Sequence, residues 1–337
     1  MNPDHYDPPV LPIWLIFLLV LVAVAAILCA ATIVLMAWSL THPPRMTDGR
    51  AMAIFRRLSP ADLGLAFEET RFQVRETSGR ALKIAAWWIP NPGAEGRCAV
   101  LIHGYADAKV GVIAWGPVWH SLGFNLLVPD LRAHGESDGA VSTAGHLERQ
   151  DLIQVIHELR AELPAETKTI VLFGVSLGAA VAAGLGAECP DVAAVVLESP
   201  YADFRRAAMA HMDRLGAPGR VLQRPALRLS EWLTGSDYDA LAPVALIPRL
   251  RCPTLIVEAE DDPFLSPEDR AALADAARAA PSAEIWTAEG AEHLMAMHAE
   301  PGAYREKLAA FLRSCAIREF STHANVLPPA GIEQVDR

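Results

Sequence analysis

A serine between two glycines is the residue best suited to chemistry in this sequence. Residues 174–178 read Gly-Val-Ser-Leu-Gly, follow an apolar stretch at 169–173 and lead into a run of small residues. This order predicts a strand, a sharp turn and a helix, with Ser176 exposed at the turn. The start of the helix would place a free backbone N–H and the positive end of a dipole beside the hydroxyl. We therefore predict that Ser176 is a nucleophile; the alternative is a small residue at a tight turn.

The residue types that activate such a serine occur later in the chain, in the required order. A serine hydroxyl is a weak nucleophile at neutral pH, so an adjacent imidazole must take its proton during attack. His293 follows the last candidate strand and is the predicted base. Asp262 follows the strand before it and is the predicted acid, which would orient the imidazole. The pattern predicts a catalytic triad of Ser176, Asp262 and His293.

Other acids and histidines compete for these roles. Asp261 directly precedes the predicted acid, and Glu198 ends the strand that follows the serine and its helix, so either could be the acid. His298 is the main alternative base, although it falls in what reads as the next helical turn. We expect His103 and His134 to be structural turn residues.

The sequence contains no motif for a metal or a nucleotide. An HExxH pair, a P-loop and a GxGxxG run are all missing from it, so we expect no catalytic metal and no cofactor. The cysteines are odd in number, widely spaced and without a CxxC pair, so we expect reduced thiols. They are Cys29, Cys98, Cys189, Cys252 and Cys315.

The composition of the chain argues against two classes of protein, those that bind nucleic acid and those that are disordered. The 337 residues include 29 Lys and Arg against 40 Asp and Glu, which gives a net charge of −11. A nucleic-acid-binding surface would be basic, so we expect no nucleic-acid partner. Apolar residues make up 52% of the chain, which excludes a disordered protein.

The N-terminal region holds the longest apolar stretch. Residues 8–44 contain no Asp, Glu, Lys or Arg, and residues 13–38 are almost continuously aliphatic. As a helix the latter would be about 39 Å long, and the hydrocarbon core of a bilayer is about 30 Å thick. Trp14 and Trp38 lie near its two ends, where indoles favour the membrane interface. We predict one transmembrane helix over 13–38, through which the chain contacts the lipid bilayer. The weaker alternatives are a signal peptide, a lipoprotein signal and a buried helix.

Charges on the two sides of this helix predict its orientation. Asp4 and Asp7 precede it, whereas four arginines follow it within residues 45–57. Because basic residues favour the cytoplasmic side, we predict a single-pass membrane protein whose catalytic domain faces the cytoplasm.

Beyond residue 61 the chain alternates between candidate strands and helices, which predicts an α/β fold with a mostly parallel sheet covered on both faces. The candidate strands are short, apolar and β-branched. They lie at 67–75, 82–89, 98–102, 125–128, 169–173, 192–197, 254–258 and 284–287. The clearest helices are predicted at 146–163, 177–188, 267–280 and 301–315.

One interval interrupts the alternation. About fifty residues, too many for a simple connection, separate the strand that ends near Leu197 from the next. They contain several Met, Phe, Tyr and Trp side chains among arginines, which favours a helical cap over an active site; an ordinary packing subdomain is the alternative. The predicted organisation is an N-terminal segment at 1–12, the transmembrane helix, a linker at 39–61, a catalytic domain at 62–316 with a cap at about 201–250, and a flexible tail at 317–337.

Between about residues 67 and 315 the sequence resembles the α/β-hydrolase superfamily, in particular its Bem46-like and serine aminopeptidase-like branch. Besides the serine motif and the order of the triad, three segments carry the resemblance. Residues 100–105 (VLIHGY) resemble the strand and oxyanion loop, 129–137 (PDLRAHGES) a conserved turn with Ala133 in the place of glycine, and 143–151 (TAGHLERQD) the approach to a helix. The resemblance implies an α/β-hydrolase fold with an eight-stranded sheet. It also implies an oxyanion hole made by the backbone N–H groups of Tyr105 and Leu177.

Together these features predict a membrane-anchored serine hydrolase that cleaves a small-molecule acyl substrate, a carboxylic ester, through an acyl-enzyme. A thioesterase or a peptidase would use the same triad, and a cofactor-free perhydrolase would share its residues. A non-catalytic membrane scaffold built on the same fold is the alternative from another class. The sequence assigns neither the acyl chain nor the oligomeric state.

Overall fold

The computed structural model describes residues 11–55, 57–214, 216 and 219–315. The predicted tail at 317–337 lies outside these residues, as do the first ten of the twelve residues in the predicted N-terminal segment.

An eight-stranded sheet forms the centre of the described chain. Its order is β1-β2-β4-β3-β5-β6-β7-β8, and every pairing is parallel except those of β2 with β1 and with β4. The sheet is therefore mixed, with an antiparallel hairpin at one edge. The strands are β1 Glu68–Arg75, β2 Ala81–Ile89, β3 Arg97–Ile102, β4 Asn125–Pro129, β5 Thr169–Val175, β6 Val192–Glu198, β7 Thr254–Ala259 and β8 Ala283–Ala288.

Each predicted strand coincides with an observed one to within two residues at either end. The reason lies in the burial of the central strands: every residue of β3 and β4 is buried, and after the first residue each strand reads as an apolar run. The sequence pattern alone therefore located the sheet.

Helices cover both faces of the sheet. The core on one face includes residues of α5, α6 and α10, and the core on the other face includes residues of α3, α4 and α12. The helices are α1 Ile13–Thr41, α2 Asp48–Ile54, α3 Lys109–Val112, α4 Gly116–Ser121, α5 His146–Glu162, α6 Leu177–Glu188, α7 Phe204–Arg214, α8 Arg220–Thr234, α9 Pro243–Leu246, α10 Pro267–Ala279, α11 Ala296–Ala299 and α12 Pro301–Ser314.

Helix α1 is long and apolar enough to cross a membrane. Its most apolar window of 18 residues has a mean hydropathy of 3.2 and contains no buried residue. A signal sequence would meet the same criteria of length and composition. The helix ends at Thr41, three residues beyond the predicted boundary at Trp38, and the predicted linker contains a further short helix, α2.

The last turns of α1 pack onto the interval that interrupts the alternation. Met36 and Ala37 are buried in a third apolar cluster with residues of α7 and α8, and Leu177 at the start of α6 belongs to the same cluster. We call residues 33–41, 201–212 and 222–238 the cap layer. This layer lies at the carboxyl end of β5, where α6 begins.

Candidate active site

Ser176 lies at a strained turn between β5 and α6. Its φ is +52°, a left-handed conformation that L-residues rarely adopt. The glycines on either side permit close backbone contacts: a Cβ at Gly174 would overlap the Gly178 carbonyl, and one at Gly178 would overlap the Ile102 carbonyl. The sequence around Ser176 therefore folds into the tight strand–turn–helix expected of a nucleophile.

Asp262 and His293 form a hydrogen-bonded pair. The Nδ1–H of His293 donates to Asp262 Oδ2 over 2.6 Å, and the Phe264 N–H donates to Asp262 Oδ1 over 2.9 Å. The Asp262 side chain is fully buried, whereas the imidazole is 20% exposed. The Phe264 ring packs edge-on against His293, with 4.9 Å between the ring centroids. The carboxylate thus fixes the imidazole so that Nε2 is free to accept a proton.

The two alternative acids, Asp261 and Glu198, have surroundings different from those of Asp262. Asp261 is exposed. Glu198 is fully buried and accepts a hydrogen bond of 3.0 Å from the Tyr304 hydroxyl, and burial raises its pKa to about 8. A carboxyl held neutral in this way does not supply the negative charge that a triad acid needs at neutral pH. His298 lies in α11 and does not line the cavity that contains Ser176.

One cavity of about 260 Å³ brings the predicted residues together. Ser176 and His293 line it, as do Tyr105 and Leu177. Leu177 is the first residue of α6, so its N–H has no acceptor within the helix. Tyr105 lies in the turn after β3. The remaining wall is largely apolar, made by Leu40, Gly104, Asp107, Tyr201, Phe204, Ala207, Ala208, His211, Phe264 and Leu294.

His103 and His134 hold the loops beside the cavity. His103 Nδ1 donates to the Gly104 carbonyl over 2.7 Å, and its Nε2 accepts from the Leu131 N–H over 2.9 Å. Burial lowers the pKa of both imidazoles. Ala133, where the family motif has glycine, adopts a φ of +62°. These contacts join the turn after β3 to the turn after β4.

Sequence analysis did not single out three residues that lie near the site. Ser199, with a φ of +45°, accepts a hydrogen bond of 3.1 Å from the Leu294 N–H and so holds the loop that carries His293. Asp107 lines the cavity, and burial raises its pKa to about 7. Leu40 comes from α1, more than sixty residues before the next lining residue. Of the three, only Ser199 could have been noticed in the sequence, because the Ser199-Pro200 pair after β6 is typical of a turn.

Within the described residues no group of three His, Cys, Asp or Glu side chains is arranged to hold a metal ion. The Asp262–His293 pair is engaged in its own hydrogen bond, and the rest of the cavity wall is mostly hydrocarbon. The arrangement suits proton transfer and attack by a hydroxyl on an acyl group with an apolar chain.

Comparison with known proteins agrees with this architecture. A model of the alpha/beta hydrolase family matches residues 99–307. The uncharacterized protein YqkD of Bacillus subtilis is 27% identical over 254 residues, which cover 73% of this chain and 79% of YqkD. The lysophosphatidylserine lipase ABHD12 of Macaca fascicularis is 28% identical over 197 residues, or 53% of this chain, but the chain spans only 45% of that lipase.

Among solved structures, the esterase Pf2001 of Pyrococcus furiosus has a similar fold. The TM-score is 0.65, the alignment covers 82% of this chain and 98% of the esterase, and the sequence identity is 22%. The family model spans more than half of the sequence. The chain therefore belongs to the alpha/beta hydrolase family.

Proposed function

We propose that this protein is a membrane-anchored serine hydrolase that cleaves carboxylic esters through an acyl-enzyme intermediate. The observation that carries the proposal is the 2.6 Å hydrogen bond between Asp262 and His293, with His293 and the strained Ser176 lining one cavity. Family membership supports a hydrolase, and the names of an esterase and a lipase among the similar proteins support an ester as substrate.

The residues act in sequence. His293 Nε2 takes the proton of Ser176 as the hydroxyl oxygen attacks the ester carbonyl, and then gives that proton to the departing alcohol oxygen. Asp262 holds the imidazole in the required tautomer and stabilises the transient imidazolium. The N–H groups of Tyr105 and Leu177 hold the oxyanion, where one donor typically contributes about 3–4 kcal/mol. Water, deprotonated by His293, then cleaves the acyl-serine ester.

The wall of the cavity suggests the class of acyl group. Phe204, Ala208 and Phe264 offer hydrocarbon and aromatic surface beside Ser176. A medium-length acyl chain would remove apolar area from water there, at about 0.8 kcal/mol for each methylene, whereas an acetyl group would leave the wall unoccupied. We expect kcat/KM to rise from acetyl to medium-chain esters, and equal values across chain lengths would exclude this use of the cavity.

Helix α1 is the membrane anchor in this proposal, and the catalytic domain faces the cytoplasm. The support is the apolar, exposed length of α1 and the four arginines at positions 45–57 that follow it. Reporter fusions after Arg337 test the orientation: a cytoplasm-dependent fluorescent reporter should be active and alkaline phosphatase inactive. The reverse pattern would overturn the assignment.

Covalent labelling tests the chemistry directly. The full-length protein in detergent should react with a fluorophosphonate probe, and Ser176→Ala should abolish the reaction. Ser78→Ala is a matched control, because Ser78 is exposed in the turn between β1 and β2. Labelling of Ser176→Ala equal to wild type would contradict the proposed nucleophile.

A substrate panel then separates the reactions that share a triad. Acyl esters, thioesters and peptide amides with the same acyl group should be compared by kcat/KM. We expect the ester to have the highest ratio of kcat/KM to its uncatalysed rate constant. A clear preference for the thioester or the amide would contradict the proposed substrate class but not the proposed nucleophile.

A further inference from the structure

The outward face of α8 is the feature of the molecule that the catalytic proposal leaves without a role. Val221 is 84% exposed, Trp232 78% and Leu233 56%, unusual values for large apolar residues. Arg224 and Arg228 are exposed on the same helix. The opposite side of α8 is buried, through Gln223, Ala226, Leu227 and Ser230.

The charge on this outward face is of one sign. The single acidic residue of α8, Glu231, is only partly exposed and forms a salt bridge of 2.5 Å with Arg205 of α7. Among the described residues, Arg224 and Arg228 form no salt bridge, and they share the helix with exposed apolar side chains in a protein whose net charge is −11. Tryptophan favours the headgroup level of a membrane, and arginine close to the surface is attracted to anionic lipid.

Helix α8 also packs directly against α1. Ala226 and Leu227 belong to the same apolar cluster as Met36 and Ala37 near the C-terminus of α1. The exposed part of α1 before this contact, residues 13–31, is about 28 Å long, which matches the hydrocarbon thickness of a bilayer. A membrane crossed by that part would therefore end where α8 begins to contact α1.

The catalytic domain is attached rigidly to this end of α1. The Arg45 guanidinium donates to the carbonyls of Gly135, Ser137 and Gly139 over 2.6–2.9 Å. The Tyr105 hydroxyl donates to the Ser39 carbonyl over 2.6 Å. These hydrogen bonds hold the end of α1 against the loops around the site and so set the orientation of the cavity relative to α1.

We propose that the outward face of α8 is a membrane-docking surface for an anionic lipid bilayer, with Trp232, Leu233 and Val221 in the headgroup layer and Arg224 and Arg228 on lipid phosphates. This inference rests on α1 being the membrane anchor. Leu40 of α1 and Phe204 and Ala208 of α7 line the cavity, and α1 and α7 share one apolar cluster with the buried side of α8, so docking places the cavity near the bilayer. The substrate is then an acyl ester dissolved in the membrane leaflet.

Quenching by brominated lipid tests the docking without any need for activity. Full-length wild type and Trp232→Phe should be reconstituted into phosphatidylcholine vesicles containing phosphatidylglycerol, with bromine on the acyl chains. Bromine should quench a larger share of the fluorescence of wild type, and the difference measures the contact of Trp232 with lipid. Equal fractional quenching would overturn the proposal.

Enzyme kinetics test whether docking through α8 promotes hydrolysis of an ester dissolved in the membrane. Two double variants are compared with wild type: Arg224→Gln with Arg228→Gln, and Trp232→Ser with Leu233→Ser. Each should lower kcat/KM roughly fivefold or more for a long-chain ester dissolved in anionic vesicles. For the arginine variant the reason is that each arginine near such a surface contributes ~1 kcal/mol. Hydrolysis of a water-soluble short-chain ester should be unchanged. Arg251→Gln is the matched control, because Arg251 is exposed just before β7, at the opposite edge of the sheet from the site.

The outcomes separate this inference from the proposed function. Unchanged hydrolysis of the vesicle ester by the α8 variants would overturn the docking surface. A dimer of wild type in detergent that dissociates in the same variants would also overturn it, because a second copy would then cover α8. Failure of wild type to hydrolyse either ester would contradict the proposed function, while the quenching result would still decide the docking.

Discussion

Two regions around the cavity are built in opposite ways. One is the sheet edge, by which we mean the carboxyl ends of β5, β7 and β8 and the residues Ser176, Asp262 and His293 that follow them. The other is the cap layer. At the sheet edge, short segments that directly follow β5, β7 and β8 position the side chains, and at the turn after β5 close backbone contacts leave no room for a methyl group on Gly174 or Gly178. In the cap layer, segments far apart in sequence meet through apolar side chains, as Met36 and Phe204 do. The comparison teaches that the chemistry depends on local backbone geometry, whereas the cavity for the substrate depends on long-range packing.

The largest effect should come from the acid at the sheet edge. Asp262→Asn should lower kcat about 10⁴-fold, because the amide favours the wrong imidazole tautomer. Asp261→Asn, one residue earlier and exposed, should change kcat by less than about twofold. Steady-state kinetics on a soluble ester would measure both. A larger loss at Asp261 would move the acid by one position, and a larger loss in Glu198→Gln would move it to β6.

Backbone crowding at the elbow should give the next largest effect. Gly178→Ala would push a methyl group into the Ile102 carbonyl, and we expect the free energy of unfolding to fall by roughly 3 kcal/mol. Gly49→Ala in α2, where a Cβ meets open space, should change it by less than about 1 kcal/mol. Thermal and denaturant unfolding in detergent would measure the difference. Equal stability of the two variants would remove the argument that local backbone contacts define the elbow.

The buried Glu198 should make the sheet edge sensitive to pH. Its pKa is about 8 in the folded chain and near 4.5 when unfolded, so the folded state holds a proton that the unfolded state releases between these values. Stability from this group is therefore present below pH 4.5 and is lost as the pH rises towards 8. Glu198→Gln has no titrating group at this position and should therefore remove that pH-dependent loss. Parallel pH profiles of the variant and wild type, from unfolding curves at constant salt, would contradict this.

The smallest effect should come from the cap layer. Met36→Ala should lower the free energy of unfolding by about 2 kcal/mol, because Met36 is 6% exposed in the cluster with α7 and α8. Leu35→Ala, whose side chain is 65% exposed, should cost less than about 0.5 kcal/mol. We also expect Met36→Ala to raise KM for longer acyl chains with little change in kcat. A fall in kcat as large as that of a sheet-edge variant would show that the two regions are not separate in function.

Much of the site could be predicted from the sequence because its residues directly follow the strands. The apolar runs of β5, β7 and β8 predicted where each strand ends, and Ser176, Asp262 and His293 follow those ends in order. Parallel strands bring their carboxyl ends to one edge of the sheet, so this order by itself predicted that the three residues meet. The sequence favoured Asp262 but left Asp261 open, since adjacent residues in a turn differ only in the direction of their side chains.

Only the tertiary structure decided how the apolar N-terminal helix relates to the site. Hydropathy predicted a helix that crosses a membrane, and it treated Leu40 and Met36 like every other residue in that stretch. In the structure one side of the last turns packs on α7 and α8, and Leu40 becomes part of the wall around Ser176. Composition and periodicity report how apolar a segment is, but contacts between residues 33–41 and 201–238 depend on the whole fold between them. For that reason the sequence identified the candidate reacting residues, and the tertiary structure determined the cavity wall and its place beside α1.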